Sequence, residues 1–101
     1  MARQKKVKGI CLPKYFRFGG KKYQLKWSRM KDKFGLCAAP HSAPEDRIIW
    51  INPSASKEDI INSIIHEAIH AELWCLDEEY VASIADSLTE LLKVSGAISL
   101  E

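Results

Sequence analysis

Residues 63 to 74 read SIIHEAIHAELW, so His66 and His70 stand four apart with Glu67 directly after the first histidine. Residues at that spacing share a helix face with Cβ atoms about 5 to 6 Å apart, so both imidazoles can reach one metal ion. Glu67 projects about 100° around the helix from His66. That is too far for a natural third ligand, yet close enough for its carboxylate to take a proton from a water beside the metal. A lone histidine on such a helix more often packs or hydrogen-bonds than binds metal. Packing explains the trio less well, because unpaired burial of a polar group costs about 1 to 3 kcal/mol. The full pattern is the HExxH arrangement, in which two neutral histidines hold zinc and the glutamate is a general base.

A catalytic zinc also needs a third protein ligand and an open position. Asp77, Glu78, Glu79 and His41 are the candidates. Glu78 lies three before Val81 and seven before Ala85, at the edge of the inward stripe of the helix they share, whereas Glu79 points about 160° away from Val81. Asp77 sits where the helix should begin, and there its carboxylate would accept backbone N–H bonds. Angular position favours Glu78 and leaves the other three open. The short turn ELWCLD lets the second helix fold back so that its first turn meets His66 and His70. The resulting His, His, Glu shell is the ligand set of thermolysin-type sites.

These residues need elements to position them. Residues 14 to 27 predict a β-hairpin about Gly19 and Gly20, whose positive φ suits a two-residue turn. Pairing Phe18 with Lys21 sets Phe16 opposite Tyr23 and Leu12 opposite Trp27, which gathers Leu12, Phe16, Phe18, Tyr23, Leu25 and Trp27 on one face. A third strand is expected over Phe34 to Ala38. A fourth is expected in RIIWIN, ending at Asn52 and Pro53. A helix then starts near Ser54 or Ser56, with Ser56 and Asp59 at N-cap and N3 spacing, and runs to about Trp74. Its apolar face is Ile60, Ile61, Ile64, Ile65, Ala68, Ile69 and Leu73. A second helix is expected from about Asp77 to Ser95, with Val81, Ile84, Ala85, Leu88, Leu91 and Leu92 on one stripe and a stop before Gly96. Strands followed by helices predict an α+β fold. A small antiparallel-rich sheet of three or four strands packs on the HExxH helix and the C-terminal helix. The organisation is one domain over 1–101: a basic segment 1–12, a sheet region 13–52 and a helical region 53–101.

Length and composition agree. A chain of 101 residues with 47% apolar and 28% charged residues has the balance of one ordinary globular domain. No apolar run approaches the roughly 18 residues needed to span a bilayer, and no apolar stretch follows the N-terminal charges as a secretory signal requires. A cytoplasmic protein with no membrane partner is expected. Cys11, Cys37 and Cys75 are odd in number and widely spaced, which fits neither a disulfide framework nor a thiolate zinc site. Residues 1 to 33 hold 12 Lys or Arg against one acid, and residues 34 to 101 hold 3 against 12. Either a basic sheet docks on acidic helices, or the basic third forms a polyanion-binding face capable of weak DNA binding.

The chain resembles a minimal gluzincin, one of the small zinc metallopeptidase-like proteins of prokaryotes and phages related in pattern to SprT-like domains. IIWINPSASKEDIINSIIHEAIHAEL is similar to that family's strand, Asn-Pro turn and active-site helix. LDEEYVASIADSLTELL is similar to the following helix, in which Glu78, Val81, Ile84 and Ala85 fall on the pattern that supplies the glutamate ligand. The hairpin YFRFGGKKYQLKW and the strand FGLCAA resemble the opening sheet, so nearly the whole chain is covered, with HEAIH the specific part. The resemblance implies one zinc per chain on His66, His70 and Glu78, and a peptidase in which Glu67 is the general base. It also implies a peptide or protein substrate extended along an edge strand. Here that strand would be Arg47 to Ile51, with Ile48, Ile49 and Trp50 as substrate contacts. Tyr80, His41 and Arg47 are candidates to stabilise an oxyanion. The alternative reading is a zinc-binding adaptor or pseudo-peptidase that acts through its basic N-terminal face on nucleic acid or a partner protein.

Overall fold

The computed structural model describes residues 5–99. Residues 1–4 of the expected basic segment and residues 100–101 lie outside them. The order of elements is β1 (Tyr15–Phe18), β2 (Lys21–Trp27), β3 (Gly35–Cys37), a 3-10 turn (Pro44–Asp46), β4 (Ile48–Ile51), α1 (Lys57–Glu72) and α2 (Glu78–Val94). This is the α+β architecture expected from the sequence.

The hairpin forms in the expected register, with Phe18 opposite Lys21 and Phe16 opposite Tyr23. Gly19 and Gly20 take φ of 57° and 77°, the left-handed region that an L side chain resists. The turn is also tied to the helical layer, because the Gly19 N–H donates to the Glu72 carboxylate at 2.7 Å. Leu12 precedes β1 and is nonetheless in the core. Phe16, expected there too, is 53% exposed: it sits on an edge strand, β1, where the sheet has a neighbour on one side alone.

The four strands lie in the order β1-β2-β4-β3. From β2 the chain passes to the far edge, forms β3, and returns through the 3-10 turn to lay β4 between the two. β4 therefore pairs parallel with β2 and antiparallel with β3. Tyr23, Leu25, Ile49 and Ile51 face the helices and close the core with Leu12, Ala55, Ile60 and Ala71. Each large apolar side chain buried there contributes about 1.5 to 3 kcal/mol.

α1 begins where the cap predicts: the Ser56 Oγ accepts the Asp59 N–H at 3.1 Å. Its most buried line is Ile60, Ser63, Glu67 and Ala71. Of the expected apolar face, Ile60 lies on that line, while Ile61, Ile64, Ile65, Ala68 and Ile69 are half-buried and Leu73, past the last turn, is exposed. The reason is position in the stack: α1 packs on the sheet with one flank and on α2 with another, so its apolar residues spread around both contacts.

α2 packs chiefly on α1 and buries only Val81, Ala85 and Thr89. Ile84, Leu88 and Leu91, expected on the inward stripe, are exposed. A helix that rests on one neighbour can bury only a narrow strip. Asp77 is the N-cap, as expected, but its carboxylate makes no cap bond; only its carbonyl accepts, from the Tyr80 and Val81 N–H groups.

Candidate metal centre

α1 presents His66 and His70 one turn apart, and the α1–α2 turn brings the first turn of α2 against them. Glu78, the first residue of α2, sets Oε1 2.7 Å from His66 Nε2 and Oε2 2.6 Å from His70 Nε2. The two Nε2 atoms are 3.2 Å apart. All three ligand atoms lie within 4.8 Å of one another, and together they can hold a metal ion. The histidines are largely enclosed while Glu78 is 68% exposed, so the group faces a solvent-open cleft. Trp74 flanks it, its ring 6.3 Å from that of His70.

Among the alternatives, Asp77, Glu79 and His41 are exposed and stand outside this group. Glu78 is the carboxylate that joins.

Glu67 points differently from its neighbours. It lies on the sheet-facing line of α1, only 7% exposed, and lines the same cleft of about 530 Å³ as His66, His70 and Glu78. Burial pushes its carboxyl up to about 7; the nearby His66 opposes this, the Glu78 charge adds to it and Lys33 opposes it. A carboxyl that titrates near neutrality beside three metal-type ligands is poised to accept and return a proton.

The opposite wall is residues 33–37, which contain β3. Gly35 lies directly against Glu67: a Cβ there would stand 2.9 Å from Oε2 and 3.0 Å from Cγ. Sequence reasoning missed this residue, although a glycine inside a strand signals close approach of another group. Asn52 was also missed. Its Nδ2 donates to the Met30 and Lys33 carbonyls at 2.8 and 2.9 Å, and its Oδ1 accepts the Ser54 N–H at 2.9 Å. It thereby fixes the loop that carries Lys33 into the cleft wall. An asparagine directly after a strand-like run and before a proline was the available signal. Cys37 ends the same wall, its thiol pushed up to about 12 by burial and by the Glu67 charge, against a lowering hydrogen bond from Tyr23.

The expected substrate strand is corrected. β4 is flanked on both sides, so its main-chain groups are engaged in two ladders and cannot receive a peptide. Ile49 is buried, and Ile48 and Trp50 point to the sheet face opposite α1. The edge beside the cleft is β3. Phe34 O accepts from Asn52 N–H and Ala38 N–H donates to Ile48 O, so the even-numbered residues of this segment pair with β4 and the main-chain groups of Gly35 and Cys37 turn to the free edge. The oxyanion candidates do not line the cleft either. Arg47 is engaged with the Lys22 and Ser42 carbonyls, and Tyr80 and His41 are exposed.

Fold and site together define an α+β protein with a His, His, Glu group able to hold a metal ion and a buried carboxylate beside it. No family model matches the chain, and neither a curated protein nor a solved structure shows significant similarity to it. No helix among the described residues is long and apolar enough to cross a membrane.

Proposed function

We propose that the protein is a zinc-dependent metallopeptidase of minimal gluzincin type, acting on peptide or protein substrates. The observation that carries this reading is the convergence of His66, His70 and Glu78 on one point, with Glu67 buried in the same cleft. Two imidazole nitrogens and one carboxylate form a donor set suited to zinc, and a cleft open at the centre leaves a position for substrate. Zinc bound there would supply Lewis acidity toward a peptide carbonyl and acidify a water molecule.

The chain's own residues do the rest. His66 and His70, as neutral imidazoles, and Glu78 hold the ion. Glu67 takes the proton of the attacking water, keeps it on its carboxyl, and delivers it to the departing amine; a group titrating near 7 can do both at neutral pH. The free edge of β3 orients an extended peptide through the outward main-chain groups of Gly35 and Cys37. Main-chain pairing favours any extended peptide over one sequence. Free cysteines, two of them exposed, fit a cytoplasmic setting.

The test is Glu67→Gln, assayed for zinc content and for cleavage of an unstructured protein substrate. Zinc should remain near one per chain while cleavage falls about 10²- to 10⁴-fold, the usual contribution of a positioned acid–base group. Unchanged cleavage by the variant, or purified wild-type protein without zinc affinity, overturns the proposal.

A further inference from the structure

The face of the sheet turned away from α1 is a second surface, unrelated to the cleft. Ladder register places Arg17 opposite Lys22, and Lys26 opposite Trp50, which in turn faces Leu36. Tyr15 shares this face and is 46% exposed. Strand alternation puts all six on one side, because Tyr23, Leu25, Ile49 and Ile51 occupy the other. No Asp or Glu occurs in any of the four strands.

The basic third is not neutralised by the acidic helices. Among the described residues, the ion pairs join Lys93 to Glu58 and Glu90, and the histidines to Glu78; none involves a Lys or Arg of the sheet. The charges therefore face solvent as an uncompensated cationic field. Within it, Lys22 Nζ lies over the Tyr15 ring, 4.1 Å from its centroid, so drawing Lys22 onto a phosphate would uncover that ring face for a base at the same place.

We propose that this sheet face binds single-stranded nucleic acid, its phosphates meeting Arg17, Lys22 and Lys26 and its bases stacking on Tyr15 and Trp50. The partner's charge is fixed by complementarity. Its single-stranded form follows from the shape of the surface: a broad sheet enters neither groove of a duplex as a helix does, whereas unpaired bases can stack on the exposed Tyr15 ring and on the half-buried Trp50 ring.

The experiment is fluorescence polarisation of the full chain with a labelled 20-nucleotide oligothymidine at 50 and 200 mM NaCl. Three phosphate contacts on a single strand predict binding that weakens roughly 20-fold between those salts. Replacing both Lys22 and Lys26 by Ala should flatten the logarithmic salt slope by about 1.4, while replacing both by Arg should leave it unchanged. Tyr15→Ala should weaken binding about tenfold at constant slope. Zinc content and circular dichroism identical to wild type establish that the variants are folded. Overturning results are no binding at 50 mM, equal or tighter binding to a duplex or to polyglutamate, or an unaltered slope in the double Ala variant.

Discussion

Gly35 and Glu67 face each other from opposite walls of the cleft so closely that a methyl group on the first would stand 2.9 Å from a carboxylate oxygen of the second. The strand and the helix can approach to this distance only because position 35 has no side chain. Gly35→Ala should therefore displace the Glu67 carboxylate. The clashing atoms belong to the flexible end of a side chain beside an open cleft, so the displacement costs little stability, under about 1 kcal/mol. The three atoms nearest to a methyl group at position 35 all belong to Glu67, not to His66, His70 or Glu78. Zinc affinity should hold while peptide cleavage falls at least about tenfold, as isothermal titration and a peptidase assay would reveal. A variant with full activity contradicts the positioning role.

The buried carboxylate also sets a pH dependence in the metal-free protein. Its folded value of about 7 lies above the ordinary 4.5, so the native state retains a proton that the unfolded chain has already released. Stability from this group is full below pH 4.5 and is lost as pH rises through about 7. The loss amounts to about 3 kcal/mol. Glu67→Gln cannot ionise, so the metal-free variant should be more stable than wild type at pH 8 and similar at pH 4.5. Urea titrations of chelator-treated protein at both values measure the difference.

The third ligand can be checked by comparing neighbours. Glu78→Ala should reduce zinc affinity by at least tenfold because its carboxylate faces both imidazoles. Asp77→Ala and Glu79→Ala should bind zinc like wild type. Asp77→Ala should also leave stability nearly unchanged, since its carboxylate makes no cap bond, whereas Ser56→Ala should cost about 1 kcal/mol through loss of the bond to Asp59 N–H.

Thiol labelling separates the cysteines. Burial and the Glu67 charge hold Cys37 protonated up to about pH 12, while Cys11 and Cys75 are exposed. Only the thiolate attacks an alkylating reagent. At pH 8 the native protein should take up two labels rapidly and the third on unfolding, as intact-mass spectrometry would record. Rapid uptake of three labels contradicts the packing of β3 against α1.

The sequence alone determined whatever depends on short spacing. His66 and His70 had to share a helix face because four residues make about one turn. Ser56 and Asp59 marked the start of that helix, and Gly19 and Gly20 fixed the turn and with it the hairpin register. Even Glu78 was legible, because it lies three residues before Val81 and seven before Ala85, and angular position on the helix then carries over.

Only the tertiary structure decided what depends on long-range pairing. The strand now inside the sheet, β4, reads in sequence like any short β-branched run, and nothing local to Ile48, Ile49 and Trp50 reveals that β3 closes one flank and β2 the other. Strand order is set by which pairings together cover the shared core, a sum over the whole chain. The same holds for α2, whose apolar pattern is wider than the strip that one neighbouring helix can cover, and for Glu67, which the helical wheel places but whose burial depends on a glycine 32 residues away in sequence. Spacing named the residues of the site; packing decided which of them are shielded from water.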